Sequence, residues 1–234
     1  MKKLIIIPAY NEEKSIKKTV EDVLVNAPSF DYVVINDCST DSTEEICKVN
    51  GFHYISLPIN LGIGGAVQTG YRYARENDYD IAVQIDGDGQ HDVAFLNKMA
   101  EEMESQKADM IIGSRFINKE GFQSSFLRRV GIMYFTWLIQ LFSGKKVTDP
   151  TSGLRMVGKN GITLFSVSYP KDYPEPETVV AMLRRGMKVV EIPVIMRERQ
   201  GGESSIRMGK TVYYMIKVSM AIVLESVRKW KGKR

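Results

Sequence analysis

Cysteine is scarce in this chain. Its 234 residues include two, Cys38 and Cys47. Their spacing matches no zinc-ligand pattern, and two thiols do not make a disulfide framework. Both are expected to be reduced, as in a cytoplasmic protein. Long hydrophobic runs are also missing, and no segment reaches the roughly 20 apolar residues a membrane-crossing helix needs. Lys2-Lys3 is followed only by Leu4-Ile5-Ile6-Ile7 before Pro8. That is too short for the apolar region of a secretory signal, and no cleavage site follows. Neither sign of charge dominates: the formal net charge of +4 is too small to argue for a nucleic-acid partner. Nucleotide-binding glycine loops are lacking too. Gly62-x-Gly64-Gly65 is not the full dinucleotide fingerprint and follows the third expected strand rather than the first, which argues against a Rossmann dehydrogenase. There is no Gly-Lys-Ser/Thr phosphate loop, and no glycine-rich, basic amino-terminal signature of a sugar-1-phosphate nucleotidyltransferase.

What remains is an ordinary globular composition, 44% apolar and 26% charged. The length suits one large domain, or one domain with an appendage. The first 115 residues alternate strand and helix. Lys3 to Ile7 reads as a buried strand ended by Pro8. Asn11 is positioned to cap a helix over Glu12 to Val25, with Ile16, Val20, Val23 and Leu24 at helical spacing. Tyr32 to Ile35 is a second strand, followed by a short helix ending at Gly51, and His53 to Ser56 is a third. A helix opens near Asn60 and runs to about Glu76. The Ile81 strand follows, then a helix from Val93 to Ser105 and a strand from Met110 to Gly113. Such alternation predicts an α/β fold with a mostly parallel sheet covered on both faces.

The stretch Ile81 to Asp92 stands out. A short apolar strand stops at Asp86-Gly87-Asp88-Gly89, at the strand end where open α/β sheets bind ligands. Two carboxylates this close repel one another, and a hard divalent cation is a reason to keep them together. Mg²⁺ takes one or two carboxylates and fills its shell with phosphate oxygens and water. A solvated Asp-Gly turn is the plainer explanation, but the strand in front favours the metal. With Glu12 and Asp37 at earlier strand ends, the acidic groups suit a sugar nucleotide, some accepting hydrogen bonds from ribose or base and the last pair holding the ion.

Several ordered motifs then resemble glycosyltransferase family 2. They are Ile7-Pro8-Ala9-Tyr10-Asn11-Glu12, Asn36-Asp37-Cys38-Ser39-Thr40-Asp41, Asn60-x-Gly62-x-Gly64-Gly65-Ala66, Asp86-Gly87-Asp88-Gly89-Gln90-His91 and Gly113-Ser114-Arg115-Phe116. Asp149-Pro150-Thr151-Ser152-Gly153-Leu154-Arg155 and Arg199-x-x-Gly202-x-Ser204 continue the series over nearly the whole chain. The branch it is most similar to is the polyprenyl-phosphate sugar transferases. The resemblance implies a GT-A fold, a nucleoside-diphosphate sugar donor (expected to be UDP-linked), Mg²⁺ or Mn²⁺, and inversion at the sugar carbon. It also implies roles. Pro8, Tyr10, Glu12, Asp37, Gly62, Gln84, Asp86 and Arg115 would bind the nucleotide sugar, and Asp86 with Asp88 the metal. Asp149 and Asp88 would serve catalysis, while Arg155, Glu177, Arg199 and Ser204 would meet the acceptor or its phosphate. Two features depart from the family. Asn36 stands where a second aspartate is usual, leaving Asp37 as the nucleoside contact. The membrane spans that many bacterial relatives append are missing.

Beyond Phe116 the alternation breaks. Val130 to Phe142 is apolar nearly all round and bracketed by Arg128-Arg129 and Lys145-Lys146. It reads equally as a core helix or as one lying on a membrane surface beside an isoprenoid chain. Glu175 and Glu177 start a helix ending at Gly186, as caps or as acceptor-site carboxylates. Lys188 to Ile195 is a strand, and Arg197 to Ser205 a loop able to close over phosphates. The tail from Ile206 to Trp230 is a long helix with an apolar stripe of Val212, Met215, Ile216, Ile222, Val223, Val227 and Trp230. Arg228, Lys229, Lys231, Lys233 and Arg234 follow in the last seven residues. We therefore expect a catalytic domain over 1–205, with a nucleotide-sugar half (1–115) and an acceptor half (116–205). Residues 206–234 are expected to attach it to anionic lipid, a small membrane-protein partner or a second copy. The expected activity is sugar transfer to a lipid such as undecaprenyl phosphate at the inner face of a bacterial cell membrane, in cell-wall polysaccharide synthesis. Extension of a polysaccharide at a hydroxyl acceptor, and a non-catalytic nucleotide-binding subunit, are the alternatives.

Overall fold

Leu4, Ile5, Ile6 and Ile7 are all fully buried, so consecutive residues of one strand supply core to both faces of a sheet. The computed structural model describes residues 1–87, 92–118, 126–195 and 208–227. In chain order the elements are β1 (Lys3–Ala9), α1 (Ile16–Asn26), β2 (Asp31–Asn36), α2 (Thr43–Val49), β3 (Tyr54–Ser56), α3 (Gly62–Glu76), β4 (Ile81–Gln84), α4 (Phe95–Gln106) and β5 (Met110–Ser114). There follow α5 (Phe126–Ser143), β6 (Arg155–Gly158), α6 (Lys159–Val167), α7 (Pro174–Arg184), β7 (Val189–Pro193) and α8 (Met208–Val227). The strands form one seven-stranded sheet in the order β3-β2-β1-β4-β6-β5-β7. All pairings are parallel except those of β6, which runs antiparallel between β4 and β5. The expected mostly parallel α/β sheet is thus present.

Alternation along β1 sends Ile5 and Ile7 to one face, where they join Val20 and Val23 of α1 and Leu96, Met99 and Met103 of α4. Leu4 and Ile6 point to the other, with Val67 and Tyr71 of α3, Phe135 and Ile139 of α5, Phe165 of α6, Val179 of α7 and Ile222 of α8. Because β1, β2, β4 and β5 run the same way, their carboxyl ends share one edge. Antiparallel β6 brings its amino end, Arg155, to that same edge, in register with Gln84 and Ile112.

Several local expectations change. Pro8 continues β1 rather than ending it, in register with Ile35. It lies beyond the last β1–β4 pair, Ile6 with Gln84, so the hydrogen-bond donor it lacks has no strand to serve. Helix α1 begins at Ile16, not Glu12. Asn11 takes a positive φ of 56°, its side-chain oxygen accepts from Thr40 N, and Glu12 N donates to Thr43 Oγ1. Residues 11–13 are therefore committed to the loop after β2 instead of to a cap. Helix α6 and the direction of β6 were not anticipated.

The two readings of α5 divide between its faces. Ile132, Phe135, Leu138 and Ile139 are core, whereas Met133, Tyr134, Trp137 and Leu141 are exposed. Helix α8 lies beside it: Tyr134 Oη and Ser219 Oγ are 3.0 Å apart, and the Phe135 and Tyr214 rings meet edge-on at 5.5 Å. The buried line of α8 is Val218, Ile222, Glu225 and Ser226, while Ile216, Met220, Val223, Leu224 and Val227 face out. Ile216, Val223 and Val227 from the expected stripe are thus on its outer side. Among the described residues, no helix is long and apolar enough to cross a membrane.

Candidate functional site

The shared strand edge gathers the sequence motifs. Asp37 follows β2, and the residue is 3% exposed. Its N–H donates to Ala9 O, its Oδ1 accepts from Leu61 N at 2.7 Å, and Asn60 Nδ2 donates to its carbonyl. The last two bonds tie the strand end to the start of α3. Asp37 Oδ2 accepts no hydrogen bond among the described residues. A buried acceptor without a donor costs about 1–3 kcal/mol. Pro8 is buried, Tyr10 is exposed and Glu12 is half-buried, all at the neighbouring end of β1. Gly62, the first residue of α3, needs its φ of +75°. Two residues on, a Cβ on Gly64 would stand 2.0 Å from Pro170 O, and Gly64 N donates to Lys171 O at 3.1 Å. Glycine there lets the 168–173 segment close against the start of α3.

Gln84 ends β4 and Asp86 follows, half-buried. Thr19 Oγ1 donates to Gly87 O at 3.0 Å, and a Cβ on Gly87 would lie 3.2 Å from Pro8 O. Glycine there lets the segment after β4 lie close against the end of β1. Among the described residues, no group of three or more His, Cys, Asp or Glu side chains could hold a metal ion. The donor set nonetheless fits a hard ion sharing its shell with phosphates, which needs one or two carboxylates, and Asp86 supplies one. Asp88, Arg199 and Ser204 lie outside the described residues.

On the β5–β6 side the placement differs from expectation. Arg115, just past β5, forms a two-pronged pair with Asp149: Nε to Oδ2 and Nη2 to Oδ1, both 2.7 Å. Arg115 N also donates to Oδ2 at 3.1 Å. Asp149 N donates to Glu191 Oε1 at 2.8 Å. Asp149 is wholly buried, and both its oxygens accept from Arg115, so in this geometry it holds the Arg115 side chain. Arg155, expected at a phosphate, is turned inward. Nε donates to Ser152 O, Nη2 to Pro150 O, and Nη1 to Glu175 O and Thr178 Oγ1. Burial lowers its pKa, which the charge of Glu175 opposes. Its role in this geometry is bracing. Glu177 borders a small cavity of about 80 Å³ on the α6–α8 side, with Ser168, Arg185 and Glu225 among its walls. Asp37, Asp86, Gln84, Pro8, Glu12 and Gly62 are thus brought together, Arg115 and Asp149 pair beside them, and Arg155 and Glu177 take other places. Sequence reasoning missed Tyr169. Its hydroxyl donates to Gln84 Oε1 at 3.4 Å, and nothing in the local pattern Ser168-Tyr169-Pro170 marks it.

Comparison with known proteins gives a consistent picture. The family model described as Glycosyl transferase family 2 matches residues 4–168. The chain is 30% identical over 210 residues to the UDP-N-acetylglucosamine–dolichyl-phosphate N-acetylglucosaminyltransferase of Methanococcus voltae, covering 81% of this chain and 83% of that protein. It is 28% identical over 240 residues to the undecaprenyl-phosphate mannosyltransferase of Micrococcus luteus, covering 97% and 98% respectively. Among solved structures, glucosyl-3-phosphoglycerate synthase from Mycobacterium tuberculosis, crystallised with Mn²⁺, UDP and phosphoglyceric acid, aligns with a TM-score of 0.75 at 16% identity. That alignment covers 99% of this chain and 80% of that one. The architecture is GT-A.

Proposed function

Because the chain belongs to glycosyl transferase family 2, we propose that it moves a sugar, with inversion, from a nucleoside diphosphate to a polyprenyl phosphate at the cytoplasmic face of a membrane. The observation that carries the donor half is the buried, unclaimed Oδ2 of Asp37 beside Asp86. A base N–H or ribose hydroxyl satisfies such an oxygen, and UDP is the nucleotide we favour. Tyr10, exposed beside it, offers a ring face to the base. Asp86 and Asp88 would hold a divalent ion, whose chemistry is to neutralise the diphosphate as it leaves. Arg115, oriented by Asp149, lies at the same strand ends.

The acceptor half of the reading rests on proton chemistry and on surface. A phosphate monoester has its second pKa near 6 and is already ionised at neutral pH, so it needs no general base. An Asp149 fully occupied by Arg115 fits that requirement, and Arg199 with Ser204 is assigned to the acceptor phosphate. The outward faces of α5 and α8 offer an apolar surface, with Arg129, Lys145 and Lys146 exposed around α5 and a basic run in the last seven residues. Each such cation adds about 1 kcal/mol on an anionic leaflet. The test compares initial rates with undecaprenyl phosphate, undecaprenol and free saccharides as acceptors. Faster transfer to the phosphate supports the reading. Faster transfer to a hydroxyl acceptor, with Asp149→Asn inactive, replaces it with a polysaccharide-extending enzyme.

A further inference from the structure

The loop before β6 hangs on one side chain of β7. Glu191 lies opposite Ile112 of β5 in the parallel pairing. Its half-buried carboxylate accepts three hydrogen bonds from two consecutive loop residues. Oε1 accepts from Asp149 N at 2.8 Å and Thr148 Oγ1 at 3.0 Å, and Oε2 from Thr148 N at 2.7 Å. Thr148 Oγ1 also stands 2.9 Å from Ser114 Oγ, on the last residue of β5. The carboxylate of Asp149 in turn holds the side-chain fork of Arg115 and its backbone N–H. A continuous line of bonds thus runs from a sheet strand, through two backbone N–H groups, to the guanidinium at the strand ends. Neither the donor half nor the acceptor half of the proposed reaction uses Glu191.

We infer that Glu191 is a positioning residue for the transfer, acting through Thr148 and Asp149 to set where the Arg115 side chain stands. The residue type carries the argument. Two backbone N–H groups point at different oxygens of one side chain, and only a carboxylate offers two acceptor oxygens. A glutamine in its place would turn an amide nitrogen toward Thr148 N or toward Asp149 N, and donor facing donor pushes the loop away. An aspartate has both oxygens but is one methylene too short. The anchor matters because Arg115 leaves the sheet on β5 while its counter-ion sits on a loop. A two-pronged pair is specific in direction as well as strong, so a shift of Asp149 turns the guanidinium with it. Misplacing a group at a reacting centre by about 1 Å can cost about 10²-fold in rate. The inference rests on the reading that Arg115 serves the transfer at this edge. It is independent of which sugar is moved.

The test is a double-mutant cycle on the full chain with Mn²⁺ and undecaprenyl phosphate. The donor is whichever of UDP-glucose, UDP-N-acetylglucosamine and GDP-mannose is transferred fastest. Glu191→Gln should lower kcat/KM about tenfold or more. Arg115→Lys keeps a cation on buried Asp149 but loses the fork. In that background Glu191→Gln should cost about twofold at most, because the geometry it maintains is already gone. The melting temperature should fall by a similar amount in both backgrounds, since the loop loses the same bond in each. Additive losses in kcat/KM would make Glu191 a brace of the fold and overturn the inference. Wild-type rates with Glu191→Gln or Glu191→Asp would do the same. Should Glu191→Gln fail to fold, Thr148→Val removes only the hydroxyl arm and should show the same dependence on Arg115 at about threefold. A loss independent of Arg115 then overturns the inference. If Arg115→Lys itself keeps the wild-type rate, the reading of Arg115 fails and the inference with it. If the unsubstituted chain turns over none of the three donors, the sugar-nucleotide reading beneath both is overturned.

Discussion

The sheet ends at one edge, yet the two sides of that edge are finished differently. On the side of β1, β2 and β4, Asp37 keeps an oxygen and Gln84 a nitrogen that nothing in the described chain claims. On the side of β5 and β6, Asp149 gives both oxygens to Arg115, and Arg155 places four of its five N–H donors on protein oxygens. Satisfied polar networks stiffen and fix a structure, whereas unsatisfied ones cost stability until a ligand arrives. The first side is built to receive and the second to hold. Mutations should separate the two behaviours.

The largest expected effect is on the receiving side. Asp88→Ala should lower transfer by roughly 10³-fold or more, in line with loss of a charge-stabilising group at a reacting centre, with an unchanged melting temperature. Near-normal turnover in EDTA would remove the ion from the account. Next come paired substitutions of equal chemistry. Asp149→Asn places an amide N–H against the Arg115 fork and should cost about 3 kcal/mol of stability, with transfer reduced but present. Asp37→Asn can still accept from Leu61 N, so its melting temperature should hold while UDP affinity falls. If both variants melt alike, the division into receiving and holding sides is wrong. The smallest effect on chemistry should come from the outer face. Met220→Asp with Leu224→Asp, both on exposed positions, should abolish sedimentation with anionic vesicles and leave donor hydrolysis unchanged. Continued vesicle binding by this variant would move the attachment surface elsewhere.

Much of the receiving side was legible because its signals are local. An apolar run followed by Asn36-Asp37 or Ile85-Asp86 announces a strand and the group at its end, and the parallel order follows from alternation. The holding side is tertiary. An arginine in sequence reads as a surface charge or a phosphate ligand. Arg155 is buried only because residues 150, 152, 175 and 178 bring oxygens to it from two segments, the loop before β6 and helix α7. The antiparallel course of β6 was illegible for a similar reason: periodicity fixes which residues face the core but not strand direction. The start of α1 was misread because Asn11, Glu12 and Glu13 have capping chemistry yet bond instead to the loop after β2.

Strand β6 also has a consequence for how the chain acquires its structure. Strands β1 to β4 join through short local crossovers, so they can assemble as soon as they have been synthesised. Strand β5 cannot extend that sheet, because its neighbours are β6 and β7. Until residue 158 is available, β4 keeps an open, apolar edge of Ile81, Ala82 and Val83, and β5 has no place to dock. A growing chain therefore passes through a stage of about 70 residues in which four strands await the one that joins them to β5, the kind of exposed edge at which another copy can pair. The late arrival of four residues, Arg155 to Gly158, welds the two parts into one sheet and ends that exposure.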